Sequence, residues 1–215
     1  MMLQQVKVWD PLIRIFHWSL VLSFVVAYLS GEEESAIHIQ AGYAVLGLIV
    51  FRLIWGFIGP KYARFSQFTY GPSEVLCYIK GIATLSPKYY LGHNPLGAWM
   101  VITLLVMLFV VTLSGLKLYA VEEGLGPFAV KPEIELIFSA YADSDEHDDD
   151  RNKRDGYDNK GEGDEEFWEE IHEASSEFLV FLIFLHIAGV LASSLLHDEK
   201  LVKAMITGKK TVKDE

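Results

Sequence analysis

The chain holds a single cysteine, Cys77, among 215 residues. One thiol excludes an internal disulfide, and the absence of any C-x-x-C-H sequence excludes covalent attachment of a haem. No internal repeat is evident, so no repeat architecture is expected. Positive charge is scarce, with 18 Lys and Arg against 29 Asp and Glu and a formal net charge of −11. No nucleic-acid partner is expected. That average conceals an uneven distribution, because Glu32, Glu33, Glu34 and the stretch 121–170 hold most of the acid.

What the chain has in plenty is apolar surface, 51% of residues with a mean hydropathy of +0.25. These residues are clumped. Residues 12–30, 37–59, 97–120 and 176–196 each supply about 19 to 24 mostly apolar positions, enough to cross a hydrocarbon layer of roughly 30 Å as a helix. An all-α integral membrane protein with four spans is therefore predicted. A shorter apolar run, 75–85, follows Gly71-Pro72 and suits a helix lying at the membrane surface. Asp10 and Pro11 form a helix start, Gly59-Pro60 a stop, and Asn94-Pro95 the start of the third span. The fourth helix is expected to begin near Asp164, outside the membrane, and to run to Leu196.

Charge near the span ends gives the topology. Lys7, Arg14, Lys61, Arg64, Lys80, Lys88, Lys200, Lys203, Lys209, Lys210 and Lys213 fall on one side. On the other, residues 31–35 carry no Lys or Arg, and 121–170 carries five among eighteen acids. Both termini are thus expected in the cytoplasm. A signal-peptide reading of residues 1–30 fits less well, since no small-x-small cleavage site precedes Gly31 and the run carries a histidine. The stretch 143–166 is read as a solvated, mobile acidic loop. Its glycines lack the preceding ligand pattern of a calcium-binding EF-hand. An alternative role for it is a docking surface for a basic soluble partner.

Ionisable side chains within spans are costly and mark function by default. His172 and His186 are fourteen residues apart on the last helix, which returns them to within about 40° of one direction and separates them by roughly 21 Å. His17 in the first span matches the depth of His186, and His38 at the head of the second matches His172. Imidazole is the usual axial ligand of haem iron. We therefore pair His17 with His186 around an inner haem and His38 with His172 around an outer one, both non-covalent b-type haems. Any one of these histidines could instead bond a carbonyl or water on a neighbouring helix; four agreeing in depth and face favour ligation. Gly42, Gly189, Ser175 and Ser176 lie within a turn of these rings and offer clearance for a porphyrin, or simply close helix packing. Arg52 follows His38 by fourteen residues, and Arg14 precedes His17 by three. Each could bind a propionate of the inner haem, and Arg52 could alternatively reach lipid headgroups. His93 has no ligand partner at its depth and is assigned a loop role, with quinone or proton handling as the alternative. His147 and His197 are expected to be solvated.

Ordered motifs carry a family resemblance: Trp9-Asp10-Pro11 to His17-Trp18, His38 with Gly42, Arg52 to Phe57, Ala63-Arg64-Phe65, His93 to Gly97, Ser114-Gly115, and His172-Glu173 through His186 to Met205 and Gly208-Lys209-Lys210. The chain resembles the bacterial cytochrome b561 family, which includes the cytochrome b subunit of nickel-iron hydrogenases. The resemblance implies one membrane domain over 1–215, a four-helix bundle binding two haem b in a bacterial inner membrane. It also implies His17, His38, His172 and His186 as ligands. The acidic insertion is unlike the short loop expected there and leaves the outer partner open, whether a c-type cytochrome or a hydrogenase-like subunit.

The function expected is electron transfer between a periplasmic or membrane-bound redox partner and the quinone pool, and whether the chain is itself an enzyme stays open. A superoxide-to-quinone oxidoreductase is one alternative, although the acidic outer face would repel an anion. A haem-free transporter or scaffold is another. On the inner side His93, Lys88 and Arg64 are weak candidates for a quinone site.

Overall fold

The computed structural model describes residues 3–31, 35–84, 86, 88–129 and 152–213, with backbone alone at 152–162 and 212–213. Strand β1 (Leu3–Lys7) leads into helix α1 (Pro11–Leu29), followed by α2 (Ala36–Ile58). Two short 3-10 turns, Lys61–Ala63 and Phe65–Gln67, connect to α3 (Pro72–Ala83). Then come α4 (Pro95–Glu122), the long α5 (Asn152–Leu196), α6 (Leu201–Thr207) and strand β2 (Lys209–Lys213). Among the described residues four helices are long and apolar enough to cross a membrane: α1, α2, α4 and the Gly163–Leu196 part of α5. They coincide with the four expected spans. The short apolar run falls in α3, far too short to span.

Local chemistry sets the helix starts. Asp10 caps α1, its carboxylate accepting from the amides of Leu12 at 3.0 Å and Ile13 at 3.2 Å, with Pro11 in the first turn. Ser35 caps α2, and Asn94 Oδ1 accepts from Gly97 N at 2.7 Å where α4 begins. Large apolar side chains face outward along the spans, Leu29 being 76% exposed and Leu195 84%. Such surface suits lipid rather than water, since lipid solvates it at no cost.

The chain divides into two compact units, Met1–Phe109 with Leu179–Glu215, and Val110–Phe178. In the first, α1 packs on α2, with Ile13, Phe16, Val45 and Ile49 buried. The two strands pair antiparallel from Leu3 opposite Lys213 to Lys7 opposite Lys209, which joins the two chain ends. Gly208, at φ +79, ends α6 in the left-handed region and accepts on its carbonyl from Val8 N and Trp9 N. Val8, Trp9 and Ala204 form a small buried cluster with Val6, Tyr62, Leu91 and Met205 around it. Both chain ends and the segment after α2 therefore share one end of the α1–α2 pair.

Two features differ from the sequence reading. The ribbon was not anticipated: its strands are five residues each and lie at opposite ends of the chain, so neither shows a run long enough to announce a partner. The last helix begins at Asn152 rather than near Asp164. Lys153, Arg154, Glu162, Glu165 and Glu166 are good helix formers and no proline interrupts the stretch, so the lack of apolar residues does not forbid helix. The acidic residues 143–151 lie outside the described residues.

Candidate haem-binding site

His38 occupies the first turn of α2, where its Nδ1 lies 2.9 Å from the carbonyl oxygen of Ala27 on α1. A carbonyl can only accept, so Nδ1 is the donor in this contact. His172 on α5 repeats the arrangement in the second unit. Its Nδ1 is 3.0 Å from the carbonyl oxygen of Val111 on α4 and 3.2 Å from Ser114 Oγ, whose own hydroxyl donates to the same carbonyl at 3.0 Å. A histidine bound to iron uses the lone pair of a neutral ring and gives its other N–H to an acceptor that fixes its orientation. Both rings have Nδ1 anchored in this way.

Space around these rings is supplied by glycine. A Cβ at Gly115 would stand 2.8 Å from His172 Cε1, so α4 can approach the ring only with glycine there. Gly31 lies against His38 in the same way, at an ordinary 3.5 Å. At Gly42 and Gly189, which the sequence reading proposed as clearance, an added Cβ meets nothing within 4 Å. The Ser114-Gly115 pair was visible as a family motif, but its contact with His172 depends on helix pairing and could not be read from spacing.

His17 on α1 and His186 on α5 fall in one unit and are close enough to act on each other electrostatically. His17 packs edge-on against Trp18, whose indole N–H reaches the Met205 carbonyl at 3.4 Å. Unlike the other pair, His17 Nδ1 is buried without a hydrogen-bond partner. His38 and His172 belong to different units.

In the first unit several buried nitrogens are left unpaired. Among the described residues these are Arg14 Nε, His17 Nδ1, Arg52 Nη1, Trp55 Nε1 and His93 Nδ1, all in the first unit. Arg52 is 4% exposed, with its guanidinium 4.6 Å from the centroid of Phe65 and 5.7 Å from that of Phe68. It does not reach out to headgroups. Arg14 donates from Nη1 to the Ile206 carbonyl at 2.5 Å, which ties α1 to the end of α6. Leaving a buried donor unsatisfied costs about 1–3 kcal/mol, so the N–H groups of Arg14, Arg52 and Trp55 call for an acceptor. A b-type haem has this character: iron for the imidazoles and two carboxylates for the cationic and N–H donors. The residues present fit it.

His93 was assigned a loop role from sequence, and it lies in the non-helical segment before α4, enclosed by side chains from elsewhere in the chain. Its ring sits 4.7 Å from Trp9 and 4.7 Å from Phe68, and it interacts electrostatically with Arg52, Lys210 and His186. Burial first, then the positive charges of Arg52 and Lys210, hold its imidazole well below its ordinary value. The ring is neutral at physiological pH. The sequence signal existed, in His93 directly before the capping Asn94, but the neighbours that give it meaning come from five separate segments. His197, expected to be solvated, is half-buried with Nε2 3.3 Å from Tyr78 Oη. Arg64 and Lys88 are exposed, Arg64 donating to the Gly59 carbonyl at 2.6 Å. His147 lies outside the described residues.

The sequence model of prokaryotic cytochrome b561 matches residues 8–208. The chain belongs to the prokaryotic cytochrome b561 family. A probable Ni/Fe-hydrogenase B-type cytochrome subunit of Bradyrhizobium diazoefficiens is 24% identical over 241 residues, covering 97% of this chain and 87% of that protein. One of the same description from Rhizobium leguminosarum bv. viciae is 24% identical over 98% of this chain and 91% of its own length. A third, from Azotobacter vinelandii, is 30% identical over 56% of this chain and 61% of its own. No solved structure matches the chain. As a prokaryotic cytochrome b561, the protein is a multi-pass bacterial membrane protein of the helical-bundle class, a b-type cytochrome that transfers electrons.

Proposed function

We propose that this cytochrome b561 is a di-haem carrier that moves electrons between a redox partner on the outer side of the membrane and the quinone pool. His17 and His186 hold the inner haem, and His38 and His172 the outer one. The observation that carries the reading is the anchoring of His38 and His172: each gives its Nδ1 proton to a carbonyl of another helix, as the second nitrogen of a ligating imidazole does. His17 and His186, within electrostatic reach of each other, supply the second set. Haem b, when bound, supplies a one-electron iron couple whose potential follows its ligands, hydrogen bonds and burial.

The chain's own residues do the rest. Carbonyls of Ala27 and Val111 hold two rings in a fixed plane, and glycine at 115 lets α4 approach one of them. Arg52 stacks on Phe65 and Phe68 and is ready to bind a carboxylate of the inner group. The excess of Lys and Arg on one side puts both termini in the cytoplasm. The relatives' description as Ni/Fe-hydrogenase B-type cytochrome subunits favours a hydrogenase-like outer partner, and a basic soluble cytochrome drawn by the acidic segment is the other candidate.

The test is a haem-to-protein ratio with a reduced-minus-oxidised visible spectrum on the purified protein and on His186→Ala. Two b haems falling toward one in the variant are expected. A folded wild-type protein free of haem under haem-replete conditions would overturn the reading.

A further inference from the structure

Two of the unpaired buried nitrogens, those of Arg52 and His93, meet at Phe68, and a third belongs to Trp55, one turn along α2 from Arg52. Arg52 and Trp55 are three residues apart on α2 and so lie on the same face. Phe68, 1% exposed, carries the Arg52 guanidinium at 5.7 Å and the His93 ring at 4.7 Å. Arg52 Nη1, Trp55 Nε1 and His93 Nδ1 are each shielded from solvent without a partner. His93 in turn is within electrostatic reach of His186.

Among the described residues no carboxylate hydrogen-bonds to these nitrogens. Asp10 acts on Arg52 electrostatically, but its oxygen accepts the amides that cap α1. Glu199 accepts from Lys210 Nζ at 3.0 Å and from Tyr89 Oη at 2.8 Å. These three nitrogens, a guanidinium nitrogen among them, thus have no acceptor among the described residues. Their arrangement suits a planar, doubly accepting anion, which arginine binds in a bidentate manner.

We infer that Arg52, Trp55 and His93 form the carboxylate pocket of the inner haem, so that His93, outside the axial ligand set, positions that haem through a propionate. The inference rests on the haem reading above. Arg52 supplies the charge and the fork, Trp55 a fixed indole N–H, and His93 a ring clamped between Trp9 and Phe68 that closes the pocket from the segment before α4. Positive charge beside a haem carboxylate favours the reduced iron, so removing it lowers the midpoint potential.

The experiment compares wild type, Arg52→Gln, Arg52→Lys, His93→Phe and Trp55→Phe by haem-to-protein ratio, potentiometric titration and the propionate bending band in resonance Raman spectra. His93→Phe keeps a ring against Trp9 and Phe68, and Trp55→Phe removes only the N–H with part of the ring, so a folding failure in one leaves the other informative. Expected are retention of two haems in each single variant, a lower midpoint for one haem, and a displaced propionate band, with Arg52→Lys recovering part of the potential. Arg52→Gln combined with His93→Phe is expected to lose one haem. If wild type binds haem and none of these variants moves either the band or the midpoint, the pocket assignment fails while the carrier reading stands. A haem-free wild type would sink both.

Discussion

Substituting Gly115 by alanine tests the outer site through the residue packed against the His172 ring. The new Cβ would stand 2.8 Å from His172 Cε1 and 3.1 Å from Nδ1. Carbon pairs settle at about 3.5–4.0 Å, so the ring must retreat by roughly 0.7 Å or more. That retreat stretches the 3.0 Å bond to the Val111 carbonyl toward the limit of a hydrogen bond. The carbonyl keeps Ser114 Oγ as a donor, so the lost bond itself costs only about 1 kcal/mol, with about 1–3 kcal/mol more for overpacking. The larger consequence falls on ligation. Disturbing the group that orients a ligating histidine typically weakens metal binding 10- to 100-fold, about 1.4–2.8 kcal/mol. On the ligation proposed for His172, Gly115→Ala should lose haem from one site while His186→Ala loses it from the other. The assay is the haem-to-protein ratio after extensive washing, read beside the reduced-minus-oxidised spectrum. Gly47→Ala, where nothing lies within 4 Å of the added carbon, serves as the control and should bind haem normally. A Gly115→Ala protein with full haem content and an unaltered spectrum would refute the contact and the role drawn from it.

Two more perturbations probe the end of the first unit where the chain termini meet. Replacing Lys210 by methionine strands the Glu199 carboxylate, whose side chain is 8% exposed against 5% for its partner. Breaking a buried pair costs about 3–5 kcal/mol when the site cannot open, but here the β1–β2 ribbon can release first. Faster hydrogen exchange confined to residues 3–7 and 209–213 is expected; unchanged exchange there would show that the pair holds nothing. Asp10→Ala removes the α1 cap and should lower stability by about 0.5–2 kcal/mol, whereas Asp10→Asn keeps a capping oxygen and should recover most of it in thermal melts. Equal losses in the two variants would mean that the charge beside Arg52, not the cap, is what Asp10 contributes.

Membrane class, span number and the identity of the candidate ligands follow from the chain alone, because they depend on quantities local in sequence. A run of about twenty apolar residues is long enough to span, whatever packs beside it. A helix of fixed pitch puts His172 and His186 on one face, and the caps at Asp10 and Asn94 are set by neighbours two or three residues away. What tertiary structure decided is everything that requires two distant segments to meet. The ribbon joins the ends of the chain, and Gly115 matters only because α5 brings His172 against it. The Nδ1 protons of His38 and His172 are fixed by carbonyls on other helices. His93 shows the difference most plainly: in sequence it is a histidine before a helix cap, and in space Trp9, Phe68, Arg52 and Lys210 surround it with apolar wall and positive charge. Spacing along one helix fixes direction and depth, but the partner across the interface is set by packing, where contacts come from residues far apart in the chain.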